Sequence, residues 1–462
     1  MKYAAYGSYE PSKSVWFDQL PSHWQQLRVK HVIERMESGV SVNSDASPAS
    51  NEEIGVLKTS CVYGDQFSPQ ENKRVLDEQI ERVACPVKAN RLIISRMNTP
   101  ELVGSCGYVD HDFPNLYLPD RLWQAVFSKS RKCSPKFAWY YLTSRPAKSA
   151  ISSLAAGTSA SMQNIAQDAF VGIGFPLPPL DEQQTIARFL DAKTAQIDEL
   201  IAKKRLLIAK VKEKRQALIA RTVTRGLPPE AARAAGLEPN PEMKDSGVEW
   251  LGVTPNAWQV KRLGFMCSKI GSGKTPSGGA ETYEDSGVVF LRSQNVYDEG
   301  LELSDVAYIN DSVDAEMRNS RVEDFDVLLN ITGASIGRSC LVPPGFPAAN
   351  VNQHVCIIRL SDKSVSEFVA WVLKTPFIKS QIDAAQSGAA REGLNFDQIS
   401  KFLIALPDKN ERKAICKYLG CETLGIDRLI SSTDKAITHL TEYRQALITS
   451  AVTGKIDVRG LA

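Results

Sequence analysis

Two short stretches carry residue types that elsewhere handle phosphates or methyl groups. Gly271-Ser272-Gly273-Lys274-Thr275 imitates the end of a phosphate-binding loop, where backbone amides and a lysine cradle a nucleotide. The full pattern needs glycine at position 268, where Ser268 stands. Pro276 follows at once and Gly278-Gly279 soon after, so no helix starts there to turn its positive end on a phosphate. What is left is a loop whose Lys274 and Thr275 are suited to a polyanion backbone. Residues 168–174 (DAFVGIG) have the D-x-F-x-G-x-G spacing of a methyl-donor cofactor loop. In such loops a helix begins after the glycines, and Phe175-Pro176-Leu177-Pro178-Pro179 forbids one here. No N-P-P-Y-like or D-P-P-Y-like tetrapeptide accompanies it. His23, His31, His111, His354 and His439 form no spaced ligand set, so no metal site is expected. No Ser/His/Asp set or nuclease-type carboxylate–lysine set stands out, and no catalytic residue is assigned.

The elements that position these stretches are repeated. Residues 180–227 return at 409–456 without a gap, an offset of 229. Arg215-Gln216-Ala217-Leu218-Ile219 returns as Arg444-Gln445-Ala446-Leu447-Ile448, and Ile197-Asp198 as Ile426-Asp427. The repeat also disposes of the cofactor loop, because the equivalent stretch 397–403 (DQISKFL) has no glycine. Each copy reads as one long helix. A seven-residue frame puts Ile186, Leu190, Ile197, Leu200, Leu207, Val211 and Leu218 on one stripe, and Ile415, Leu419, Ile426, Leu429, Leu440 and Leu447 on the other. Such narrow stripes predict a seam between the two copies, an antiparallel coiled coil. About 40 helical residues span about 60 Å, so the pair is expected to act as a spacer. Pro178 and Pro407 punctuate both starts, and Asp181-Glu182 and Glu411 suit the positive helix end. Lys203, Lys204, Arg205, Lys210, Lys212, Lys214 and Arg215 make the second half of the first helix basic, a solvated face or a surface for phosphates or an acidic partner.

The repeat reaches upstream. Trp16…Pro21…Trp24 matches Trp250…Pro255…Trp258 at an offset of 234, and Arg28 matches Arg262. The order is opening segment, globular body, long helix, then the same again. The expected domains are 1–177, a helix at 178–227, a Pro/Ala-rich linker at 228–246, 247–406, a second helix at 407–452 and a tail at 453–462. Strand-sized apolar runs occur at 54–58, 91–95 and 122–127, and at 288–292, 326–331 and 354–360. Short amphipathic helices are expected at 136–142 and 367–374. The fold class is therefore α+β: two globular bodies joined by two long antiparallel helices with a pseudo-twofold repeat. The 462 residues suffice for two cores, and a net charge of +2 neither demands nor excludes nucleic acid. Nine cysteines without a CxxC pair, no membrane-length apolar run and no signal core point to the cytoplasm.

Several motifs in one order resemble the specificity subunit of type I restriction–modification enzymes. They are the helix starts Pro178…Glu182-Gln183 and Pro407…Glu411-Arg412, the R-Q-A-L-I…V-T helix ends, residues 453–457 (TGKID), residues 245–252 (DSGVEWLG) and Gly273-Lys274-Thr275-Pro276-Ser277. The resemblance covers essentially the whole chain. Departures are Arg412 in place of Gln, a longer linker and a divergent first opening. The resemblance implies a non-catalytic DNA-reading subunit. Each body would be a target recognition domain for one half of a bipartite, asymmetric site. The helices would set the gap and dock two methyltransferase subunits, with two motor-nuclease subunits completing the complex. S-adenosylmethionine, ATP and magnesium would sit on those partners and none on this chain. A self-contained DNA methyltransferase and a coiled-coil scaffold without DNA specificity are the alternatives.

Reading base edges calls for Arg and Lys against guanine and Asn and Gln against adenine. In body two the candidates are Arg292, Gln294, Asn295, Asn330, Thr332, Arg338 and Arg391, with Lys274 and Thr275 as donors to the DNA backbone. In body one, Lys58, Thr59 and Ser60 take the place of Arg292, Arg96 and Asn98 that of Asn330 and Thr332, and Ser161 and Gln163 that of the Arg391 loop.

Overall fold

A computed structural model describes residues 3–159, 162–386 and 393–461. The chain divides into two compact units, Met1–Lys204 with Asp434–Ala462, and Arg205–Thr433. The first unit holds body one and the second body two.

Both bodies are built on the same sheet. In body one the antiparallel order is Cys106–Val109, Arg91–Ser95, Leu122–Phe127, Ile33–Ser38. In body two it is Ser339–Leu341, Val327–Asn330, Val355–Leu360, Cys267–Ser272. A second sheet in each contains one parallel pair, Gly55–Leu57 with Phe113–Tyr117 and Val288–Leu291 with Ala349–Val351. The expected strands are thus present, and the expected short helices run Pro135–Leu142 and Ser366–Leu373. Their aromatic and aliphatic faces fill the cores: Phe137, Tyr140 and Tyr141 in one body, Phe368, Val369 and Val372 in the other.

The loop that imitates a phosphate site has a backbone explanation. A Cβ on Gly273 would lie 1.6 Å from the carbonyl oxygen of Val351. A Cβ on Gly39, 234 positions earlier, would lie 1.6 Å from that of Leu118. Each glycine ends an equivalent strand and lets it cross against the other sheet. The cofactor-loop imitation dissolves similarly. Asp168 lies in a one-turn helix, Gln167–Val171, and Gly174 opens a strand, Gly174–Leu177, that pairs with Gln25–Arg28. In body two, Phe396–Ser400 and Leu403–Leu406 repeat this, the strand pairing with Gln259–Arg262.

The long helices run Leu180–Arg225 and Lys409–Val452. Each start is tied to its body by the repeated tryptophan. The Trp24 indole N–H donates to Glu182 Oε1 at 3.0 Å, and the Trp258 indole to Glu411 Oε2 at 2.8 Å. The residue after each glutamate secures the preceding proline: Gln183 Nε2 donates to Pro178 O and Arg412 Nη1 to Pro407 O, both at 2.8 Å. Arg412 therefore departs from the glutamine in identity while keeping its bond. The first helix ends before Gly226 and the second just before Gly454, both at positive φ as helix C-caps favour.

In unit one the start of the first helix packs beside the end of the second. Glu182 holds Trp24, whose ring lies beside Gly454, and Asp198 hydrogen-bonds Arg444 through Nε and Nη2 at 2.9 and 3.2 Å. The two segments are therefore antiparallel. Unit two repeats the arrangement, with Gly226 beside Glu411 and Arg215 Nε 3.1 Å from Asp427 Oδ1. That nitrogen is not aimed at the carboxylate, so this contact is an ion pair without a directional hydrogen bond.

The stripe that is buried differs from the seven-residue frame. Ile186, Leu190, Ile197, Ile415, Leu419 and Leu447 are buried, and Val211, Leu218, Ile426 and Leu440 partly so. Leu200, Leu207 and Leu429 are instead 43%, 44% and 45% exposed. The frame drifts because an unsupercoiled α-helix needs about 10.8 residues for three turns, so a side returns every 11 residues and slips against a strict seven. Isoleucine occupies that spacing in both copies: Ile186, Ile197, Ile208 and Ile219, then Ile415, Ile426, Ile437 and Ile448. All eight are buried or partly buried. Thr194 and Thr423 share the stripe, their hydroxyls satisfied by the carbonyls of Leu190 and Leu419. Among the described residues no helix is long and apolar enough to cross a membrane.

Candidate nucleic-acid interface

In body two, four loops meet where the central strands end. The segment after Cys267–Ser272 carries Lys274 and Thr275, and the turn before Val355–Leu360 carries Gln353 and His354. Thr275 Oγ1 donates to Gln353 Oε1 at 2.5 Å, the Gln353 amide meets His354 Nε2 at 2.9 Å, and His354 Nδ1 meets Thr332 Oγ1 at 2.5 Å. Beside this chain opens a cavity of about 430 Å³, with Gln294, Tyr297, Thr332, Ser335, Arg338 and His354 among its walls. Lys274, beside Thr275 in sequence, is exposed.

The expected base-reading residues of body two divide into two groups. Gln294, Thr332 and Arg338 line the cavity. Asn295 and Asn330 do not face solvent; both are buried scaffold. Asn295 Oδ1 accepts from Arg292 N, and its Nδ2 donates to the carbonyls of Glu302 and Asp305. Asn330 Nδ2 donates to Ser293 O at 2.8 Å and Ser335 Oγ at 3.2 Å, fastening two of the loops together. Amide side chains that cap turns and amide side chains that read adenine look alike in a sequence. Arg292 is committed internally, donating to Asp305 O at 3.0 Å and lying over the Tyr283 ring. Arg391 and Ser161 lie outside the described residues.

Body one offers the same edge with other side chains. Ser41 donates to Asp120 Oδ1 at 2.8 Å, where body two has Thr275 and Gln353. Lys58 starts the turn after its strand as Arg292 does, and Thr59 follows partly exposed. Lys58 and Ser60 are both taken by Glu71, the first by an ion pair at 3.5 Å and the second by a hydrogen bond of 2.5 Å. Those contacts, Ser60's first, hold the Glu71 carboxyl below its ordinary range. The expected match of Arg96 and Asn98 to Asn330 and Thr332 slips by one. Ile165 N donates to Arg96 O as Leu394 N does to Ile331 O, so Arg96 stands at Ile331 and Ser95 at Asn330. Arg96 is partly buried over Trp123. Asn98 is buried against the Tyr63 hydroxyl, and Gln163 is partly exposed with its backbone paired to Asn98.

The sequence reading missed Tyr297, His354 and, in body one, Arg121. Arg96 N donates to Arg121 O as Ile331 N does to His354 O, which puts the exposed Arg121 in the place of His354. The signal was present in the repeat: Gly39 and Gly273 fix the alignment of Leu118 with Val351, and three residues on come Arg121 and His354.

Comparison with known proteins gives this edge its setting. The family model for the type I restriction modification DNA specificity domain matches residues 21–210 and again 255–421. The putative type I restriction enzyme MjaX specificity subunit of Methanocaldococcus jannaschii is 23% identical over 97% of both chains. The type I restriction enzyme EcoBI specificity subunit of Escherichia coli is 24% identical over 62% of this chain and 58% of its own. A solved chain from a study of complex assembly and conformational transition in the type I R-M system shares the fold, with a TM-score of 0.65 at 15% identity over 95% of this chain and 99% of that one. The chain belongs to the type I restriction–modification DNA specificity family, whose members are the DNA-recognising, non-catalytic components of those systems.

Proposed function

We propose that this chain reads a bipartite, asymmetric DNA site, body one contacting one half and body two the other. The observation that carries this is the contrast within one framework: two copies of the same sheet present different side chains at the same open edge. Direct readout then makes each half-site a property of one body's loops. The long helices act as a coiled-coil spacer between target recognition domains spanning 1–177 and 247–406, with 178–227 and 407–452 as helices, 228–246 as linker and 453–462 as tail. Two methyltransferase subunits dock on the helices and two motor-nuclease subunits complete the cytoplasmic complex. S-adenosylmethionine, ATP and magnesium are held by those partners. Support for docking comes from the helix surfaces. Leu200 in unit one and Leu206, Leu207, Leu424 and Leu429 in unit two are large apolar side chains left exposed. Lys210, Lys212 and Lys214 are exposed beside them in sequence, a basic flank suited to an acidic partner.

The deciding experiment exchanges residues 22–177 for the equivalent body of a relative and sequences the methylated adenines of the host genome. One half of the motif changes and the other persists; a change in both halves, or no motif at all, defeats the reading. Docking has its own test. Leu200→Asp with Leu429→Asp leaves the purified chain folded by circular dichroism but abolishes co-elution with methyltransferase subunits on gel filtration. Normal co-elution removes these leucines from the interface.

A further inference from the structure

We infer that Arg338 is the side chain with which body two reads a guanine, through the O6 and N7 acceptors of its major-groove edge. The inference rests on the DNA-reading function proposed above. Arg338 is held at both ends of its residue: its N–H donates to Ser335 O at 3.1 Å and its carbonyl accepts from Asn330 N at 2.8 Å. Its guanidinium lies over the Tyr297 ring, 4.9 Å from the centroid. Among the described residues it has no carboxylate partner and no side-chain hydrogen bond, unlike Arg292, Arg321 and Arg359 of the same body. Among the described residues no acidic one lines the cavity it faces. A guanidinium carries its N–H groups in one planar fork, and resting over an aromatic ring leaves that fork for a planar pair of acceptors. In the same cavity lining, Thr332 and His354 are hydrogen-bonded to each other.

Body one sharpens the assignment. Ser95 N donates to Ser105 O as Asn330 N does to Arg338 O, so a buried serine stands where body two has this arginine. The contact therefore belongs to one half-site only.

The test uses the complete chain assembled with its methyltransferase subunits. The probes are duplexes carrying the host's methylated motif, with each guanine in turn replaced by 7-deazaguanine. At one guanine, within a single half-site, the replacement weakens the wild type by roughly ten- to a hundredfold. Arg338→Ala loses that discrimination and binds both duplexes alike. Arg338→Lys keeps the charge and loses the planar fork, so its discrimination falls between those of the wild type and Arg338→Ala while its salt dependence stays that of the wild type. If Arg338→Ala instead weakens all duplexes equally and lowers the salt slope by about one, the residue contacts a phosphate and the inference is overturned. It is equally overturned if the 7-deazaguanine effect is the same in variant and wild type. A wild-type complex with no sequence preference overturns the DNA-reading function itself, which separates the two failures.

Discussion

In body one Ser41 donates to Asp120; in body two Thr275 donates to Gln353 at the same place. The backbone, the hydroxyl donor and the glycine two residues earlier are kept, while the acceptor changes from an acid to an amide. The neighbouring position changes further, from Arg121 to His354. Shared positions are those where a backbone must pass close to another or a helix must be anchored. Divergent ones hang from the open edge, where a side chain meets solvent or a ligand rather than a second strand. Conserving one set and varying the other lets a single scaffold carry two readings.

The two glycines give that comparison its hardest test. Gly39→Ala and Gly273→Ala each place a methyl group inside a backbone carbonyl, so the crossing strand must move. Overpacking typically costs 1–3 kcal/mol, and a clash with immovable backbone exceeds that, so we expect about 3 kcal/mol or more for each. Gly271→Ala, two residues away with nothing nearer than Lys269 Cε at 4.0 Å, is the control and stays near wild type. Thermal unfolding of the three variants reads this out. A tolerated Gly273→Ala would mean that the two strands are not equivalent.

A smaller effect distinguishes buried from exposed helix positions. Ile186→Ala and Ile415→Ala remove fully buried side chains at matching points and should each cost about 2–5 kcal/mol. Leu200→Ala and Leu429→Ala, also matching, should each change stability of the isolated chain by less than about 0.5 kcal/mol. Equal losses in urea unfolding would restore the seven-residue frame and refute the 11-residue one.

Much of this was legible from repetition. The offset of 229 located both helices and that of 234 their anchoring tryptophans, because Trp24–Glu182 and Trp258–Glu411 depend on residues that recur. Strands in the cores were legible because apolar runs bounded by turn formers have few other uses. The reading edge was less so. Asn295 and Asn330 resemble base readers in sequence although they cap turns and tie loops, and Arg292 and Lys58 are spent on carbonyls and carboxylates nearby. A sequence shows that a side chain can donate, not whether a neighbour has already accepted. The helix frame failed for another reason: seven and 11 residues agree over one or two turns and part company in the middle, where Leu200 and Leu429 lie.

The smallest expected effect contrasts the two helix-start glutamates. Glu182 accepts from three side chains, the Tyr6 hydroxyl at 2.7 Å, His23 at 2.8 Å and the Trp24 indole at 3.0 Å. Among the described residues Glu411 accepts from one side chain, the Trp258 indole. Burial pushes the Glu411 carboxyl above its ordinary range, against the opposing pull of the Trp258 hydrogen bond. A carboxyl raised by folding is favoured in its protonated form. Its contribution is therefore fully present below the unfolded value of about 4.3 and is lost as pH rises through the folded value. Glutamine does not titrate and keeps an oxygen for the indole. Glu411→Gln should then match wild type near pH 4 and melt at a higher temperature by pH 7. Glu182→Gln should do the opposite at pH 7, since it trades charge-assisted hydrogen bonds for neutral ones. Thermal melts of both variants across pH 4–7 measure the contrast. If both shift the same way, the two helix starts carry the same electrostatics, and the difference between the units lies in the side chains of their reading edges.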